Sequence, residues 1–170
     1  MRLDLRDIIH VPGGEIPFDF TMDLSGLEFA GQTPVCEPVH AWGSVRNRAE
    51  LLTLEANVQS NLHLRCDRCG KPFERVKTVT VQRLLATELQ DEEDDDIILL
   101  DGSILDLDEV VRTEFILEMD TKNLCREDCK GLCPGCGADL NTEPCKCKPD
   151  IDPRLSVLAS LLEDKADGTS

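Results

Sequence analysis

Apolar and polar residues alternate with a period of two through most of the first half of the chain. Ile16, Phe18, Phe20, Met22 and Leu24 alternate with polar neighbours, the pattern of a half-buried strand. Leu52, Leu54, Ala56 and Val58 share one parity, and Leu62, Leu64 and Cys66 resume it. Val35 to Val45 is strand-like but punctuated by Pro38 and Gly43, which suits an edge position. Val76 to Leu85, rich in Val and Thr, predicts a further strand. Gly13-Gly14, Ser25-Gly26 and Gly70-Lys71-Pro72 supply the turns. Connections this short imply antiparallel pairing, in a twisted sheet or a partly closed β-barrel.

The period then lengthens. Leu107, Val110, Val111, Glu114, Phe115 and Leu117 fall at helical spacing, with Asp106 or Asp108 as N-cap and acidic residues in the first turn. This helix should lay its apolar stripe on the sheet. Asp152-Pro153 opens a final helix whose stripe is Leu155, Leu158, Ala159 and Leu162. The expected fold class is α+β: an antiparallel twisted sheet or partly closed β-barrel with two C-terminal helices flanking a small metal-binding segment. The expected divisions are a β-rich domain at 1–88, an acidic loop at 89–103, a helix packed on the sheet at 104–120, a cysteine-rich zinc-binding segment at 121–150, and a C-terminal helix and tail at 151–170.

Charge changes the picture by its distribution. The 170 residues carry a net charge of −16, and residues 86–120 alone account for −13 of it. Asp91, Glu92, Glu93, Asp94, Asp95 and Asp96 form a solvated loop, suited to contacting a basic protein. The opposite extreme runs from Arg65 to Arg83, where Arg65, Arg68, Lys71, Arg75, Lys77 and Arg83 face only Asp67 and Glu74. Arg75, Lys77 and Arg83 share parity with Phe73 beside them, a candidate phosphate-contacting face. The competing explanation is a solvated strand face balanced by the acidic loop.

Six of the nine cysteines, Cys125, Cys129, Cys133, Cys136, Cys145 and Cys147, crowd into one polar segment that cannot bury a core of its own. Disulfides or a metal must hold it. Met1 to Arg6 alternates apolar and charged residues and has no apolar leader core, so a cytoplasmic location, reducing conditions and a metal are expected. Cys133-Pro134-Gly135-Cys136-Gly137 has the form of a zinc knuckle, and a closed structural site needs a second pair. Cys125 with Cys129 and Cys145 with Cys147 both qualify, and one Zn²⁺ per chain is expected. Cys66-Asp67-Arg68-Cys69-Gly70 repeats the knuckle pattern at a strand end. It either shares a site with Cys133 and Cys136 or is a thiol pair serving turn geometry, since a redox pair expects a βαβ context. Cys36 reads as an ordinary semi-buried residue.

Catalytic signatures are missing. His10, His40 and His63 stand apart from any cysteine or carboxylate cluster, and no nucleophile elbow, phosphate loop or zinc-protease motif occurs. A non-enzymatic protein with no small-molecule substrate and no membrane span is expected.

Cys125-x3-Cys129-Lys130-Gly131-Leu132-Cys133-Pro134-x-Cys136-Gly137-x2-Leu140-Asn141, then Cys145-x-Cys147 and Ile151-Asp152-Pro153-Arg154, closely resembles the bacterial YceD family. Cys66-x-Arg68-Cys69 and the mid-chain acidic stretch also fit that family's pattern. The likeness is to its metal-bearing branch; relatives without the late cysteines exist. The resemblance implies a factor in 23S rRNA accumulation and large-subunit assembly in bacteria and plastids, with no catalytic residues. Its partner would be precursor 23S rRNA, a basic large-subunit ribosomal protein shielded by the acidic loop, or both. A zinc-stabilised scaffold joining two assembly factors is the remaining alternative.

Overall fold

The computed structural model describes residues 1–49, 51–87 and 97–147. The acidic run Asp91–Asp96 and the expected final helix from Asp152 lie outside the described residues. The chain divides into two compact units: Met1–Cys66 with Lys71–Cys125, and Asp67–Gly70 with the chain from Arg126 on.

The first unit holds strands β1 (Arg2–Asp4), β2 (Glu15–Met22), β3 (Val39–Arg48), β4 (Leu51–Arg65), β5 (Pro72–Ala86), β6 (Ile97–Leu99) and β7 (Ile104–Asp106), with the short helix α1 (Arg6–Ile9) between β1 and β2 and α2 (Leu107–Leu117) after β7. A five-stranded sheet has the order β2-β3-β4-β5-β6, and β1 pairs with β7 in a small second sheet. The architecture is α+β. Pairing is antiparallel except for the short parallel contact of β5 with β6. β2 and β6 lie at opposite edges, so the sheet is open rather than a closed barrel.

Strands β4 and β5 run 15 residues each because their alternation is unbroken. Leu52, Leu54, Ala56, Val58, Leu62 and Leu64 of β4 all face one side and are buried, as are Val79, Val81 and Leu85 of β5. The buried residues of α2, Leu107, Val111 and Phe115, belong to the same apolar cluster. The Asp106 side chain caps α2, accepting from the amides of Asp108 at 3.1 Å and Glu109 at 3.4 Å. Leu117, expected on the apolar stripe, is instead exposed at the helix end.

β3 is an interior strand, not the edge expected from Pro38 and Gly43. Pro38 precedes the strand, so its missing N–H costs no ladder bond. Gly43 lies where β3 and β4 approach closely: a Cβ there would fall 2.1 Å from the backbone oxygen of Glu55. Cys36 is exposed rather than semi-buried. The pieces β1, α1 and β7, each four residues or fewer, were too short to leave a periodic signal.

Candidate metal centres

Both C-x-x-C-Gly segments fold into the same tight loop. In the later one the Cys133 amide donates to the Ala138 carbonyl at 2.8 Å, and the Gly137 amide to the Cys133 carbonyl at 2.8 Å. In the earlier one the Cys66 amide donates to the Lys71 carbonyl at 2.9 Å, again five residues on. Gly137 and Gly70 take φ values of +75° and +69°, the left-handed region that glycine enters without strain. Each loop offers two thiols to one ion.

The sulfurs gather in two groups of four: Cys133, Cys136, Cys145 and Cys147 in one, and Cys66, Cys69, Cys125 and Cys129 in the other. Within each group the sulfurs lie within 4.8 Å of one another. A tetrahedral zinc with Zn–S bonds of about 2.3 Å separates its sulfurs by about 3.8 Å, so the donor sets fit. Cys136 and Cys145 stand 3.6 Å apart, while Cys133 and Cys145, at 3.1 Å, would have to part slightly around an ion. Four thiols leave no open corner for a water, the arrangement of a structural rather than catalytic zinc.

Space thus pairs what spacing left open. Cys145 and Cys147 accompany Cys133 and Cys136, and Cys125 and Cys129 accompany Cys66 and Cys69 rather than leaving that knuckle to share the later site. Two candidate positions replace the single one expected. Cys125 and Cys129 sit in a non-helical turn, in which the Cys129 amide donates to the Arg126 carbonyl at 3.2 Å.

The thiols of the later group perturb one another's ionisation. The Cys133 thiol is brought down to about 6, chiefly by its hydrogen bond with Cys145 and then by the amides of Cys136 and Gly135. Cys145 is raised, first by Cys133, and Cys147 is pushed up to about 12, first by Cys136 and then by Cys145. Hydrogen bonds among the sulfurs thus favour ionisation at Cys133 and favour retaining the protons of Cys145 and Cys147. A cation entering the group would displace those protons.

Asn141, five residues after the later knuckle's second cysteine, organises the second unit. Its side-chain oxygen accepts from the Lys130 amide and from Arg126, both at 2.8 Å, and its amide group donates to the Cys129 sulfur at 3.6 Å. Gly131, at φ +78°, lies so close to Arg68 that a Cβ would come within 2.9 Å of the Arg68 carbonyl. Neither signal was readable from spacing alone.

The basic stretch is corrected in its main part. Arg75, Lys77 and Arg83 project from the same side of β5 as buried Val79 and Val81, not from the solvent side. Arg83 is bonded to Glu114 of α2 at 2.8 and 2.9 Å. Arg75 and Lys77 lie 3.5 and 3.4 Å from Asp120, and Arg75 also donates to the Leu124 carbonyl at 2.7 Å while lying over the Phe73 ring. Their shared parity marked an inner face whose acids lie on and just beyond α2. Arg68 donates to the Cys129 carbonyl at 2.6 Å, serving the metal-site backbone. Arg65 and Lys71 are exposed. No helix among the described residues is long and apolar enough to cross a membrane.

Residues 54–162 match the profile of the YceD family, described as Large ribosomal RNA subunit accumulation protein YceD. An uncharacterized protein of Mycobacterium tuberculosis is 35% identical over 107 residues, covering 60% of this chain and 51% of the relative. One from Mycobacterium leprae is 33% identical over 110 residues, covering 62% and 50%. A Zea mays protein named large ribosomal RNA subunit accumulation protein YCED homolog 1, chloroplastic, is 29% identical over 175 residues, covering 84% and 58%. The chain spans about half the length of the curated relatives it matches. No solved structure matches.

Proposed function

The chain belongs to the YceD family of large ribosomal RNA subunit accumulation proteins, and from that premise we propose that it supports 23S rRNA accumulation as a non-enzymatic, cytoplasmic, zinc-stabilised factor. The observation that carries this reading is the extent of the family match, which runs from inside β4 through both cysteine groups. The all-thiol donor sets favour zinc in a structural role: an ion in each group would hold polar loops that have few buried side chains to hold them. Catalysis would need an open coordination position or a reactive constellation, and neither sulfur group offers one. The protein would therefore act through binding, with precursor 23S rRNA as its partner.

Depletion of the protein in its own host tests this. Large-subunit rRNA should fall relative to small-subunit rRNA, and gradients should show fewer free large subunits. Re-expression should restore both, and a Cys133→Ser/Cys136→Ser variant should restore them poorly. An unchanged rRNA ratio on full depletion would reject the reading.

A further inference from the structure

The sheet has a second face, opposite the core, whose chemistry differs from the rest of this acidic chain. In register along it lie Trp42, Asn57 and Thr80, and in the next outward row His40, Gln59 and Thr78. The imidazole of His40 stacks on the indole of Trp42, ring centres 4.7 Å apart and planes within 26°. Asn57 accepts from the Thr80 hydroxyl at 3.2 Å, and Gln59 donates to the Thr78 hydroxyl at 3.2 Å. Each amide is thereby oriented by one hydrogen bond and has both donor and acceptor capacity to spare.

The outward carboxylates of this face are each partnered, two by guanidinium groups and two by imidazoles. Glu15 meets Arg46 at 2.9 Å and Glu55 meets Arg48 at 3.1 Å. Asp19 meets His40 at 2.9 Å and Glu74 lies 3.5 Å from His63. Every carboxylate that β2 to β5 turn outward thus has a cation or an imidazole opposite it, and β4 ends in exposed Arg65. In a protein of net charge −16, such partnering lessens the repulsion a polyanion would meet here. A basic protein would find Glu15 and Glu55 already held by Arg46 and Arg48.

We propose that this outward face binds single-stranded RNA, stacking a base on the Trp42–His40 pair and reading neighbouring base edges with Asn57 and Gln59. The proposal rests on the RNA-accumulation reading above and adds to it the surface and the strandedness. Aromatic stacking favours unpaired bases, because a duplex hides their faces, and neutral amides match base edges better than phosphates. His40 and Trp42 lie outside the family-matched residues, so the family match does not cover the stacking pair.

Trp42 is the chain's one tryptophan, so its fluorescence reports on this spot alone. The full zinc-loaded chain is titrated with a mixed-sequence single-stranded RNA of about 12 nucleotides, with the same RNA annealed to its complement, and with a basic ribosomal protein. Single-stranded RNA should quench Trp42 and the duplex should do so far less. Gln59→Glu/Thr78→Glu, at two exposed positions, should weaken single-strand binding roughly tenfold or more with an unchanged circular dichroism spectrum. Quenching by the basic protein but not by RNA would overturn the proposal. So would RNA binding that leaves Trp42 fluorescence and the double variant's affinity unaltered; rRNA accumulation would then still be affected by depletion, through another surface. Normal rRNA on depletion would remove the premise itself.

Discussion

Arg83 on β5 grips Glu114 on α2 through two parallel hydrogen bonds, Nε to Oε1 at 2.8 Å and Nη2 to Oε2 at 2.9 Å. The two side chains are only 29% and 12% exposed. A guanidinium and a carboxylate held side by side at the rim of an apolar layer gain orientation as well as charge pairing. Removing either partner leaves the other partly desolvated. Arg83→Ala or Glu114→Ala should therefore each cost about 1–3 kcal/mol of unfolding free energy. Urea titration of the two single variants and the double should give non-additive losses. Since Arg83 faces inward, the same substitution should leave single-strand RNA affinity within about twofold of wild type. Additive losses with weakened RNA binding would restore the basic-face expectation.

The strands and the principal helix were legible because each repeats one period over many residues. The long alternation from Leu52 to Leu64 is one strand, and the parity of its apolar set is the buried parity. Parity could not say which side of β5 its three cations take, because Arg75, Lys77 and Arg83 reach acids that are distant in sequence. Long stems let such residues share an inner face with Val79 and Val81 while their heads find partners. The knuckles were equally legible as local loops, through their glycines. Their partnering was not, since Cys66 and Cys129 are joined only by the fold, and spacing ranks pairs only within a short segment.

Asn47 illustrates a polar residue that alternation alone would misjudge. It is 1% exposed on β3, and its amide group donates to the carbonyls of Ile8 and Ile9, both at 2.7 Å. Those carbonyls lie at the end of α1, where the Ile8 carbonyl also accepts from the Val11 amide at 3.1 Å. Asn47→Ala should cost about 2–3 kcal/mol, from buried acceptors losing their donor plus a small cavity. Hydrogen exchange should quicken in residues 5–14 before it does in β4. Uniform exchange across the unit would show that this side chain does not tether the N-terminal segment.

Stability should also fall in acid in a way traceable to one cap. The amides of Glu109 and Asp108, with Arg2, hold the Asp106 carboxyl below its ordinary 3.8. A group depressed in the folded state stabilises it above the unfolded value, and that contribution is lost as pH falls through the folded value. The melting midpoint should thus drop on going from about pH 5 to about pH 3. Asp106→Asn keeps an oxygen for the cap but does not titrate, so its midpoint should start lower and fall less steeply. Parallel curves for the two proteins would assign the acid sensitivity to Asp4, Glu15 and Asp23, which are depressed by their own partners.

The two sulfur groups should differ in how firmly they hold zinc. Cys66, Cys69 and Cys129 are buried, whereas Cys136 and Cys147 are exposed. Native mass spectrometry of freshly purified protein should find two zinc ions per chain, one for each group. A chelator should remove the first within a time that leaves the second in place, and Cys136→Ser should abolish only the faster phase. Lower pH should release zinc, because thiols must give up their protons to bind it and regain them in acid. Asn141→Ala, which removes the hydrogen bond to the Cys129 sulfur, should weaken the slower ion roughly tenfold or more without touching the faster one. If both ions left together in every variant, the difference in burial would not control release. If neither ion were present and the cysteines were paired as disulfides, the zinc reading of both groups would fall.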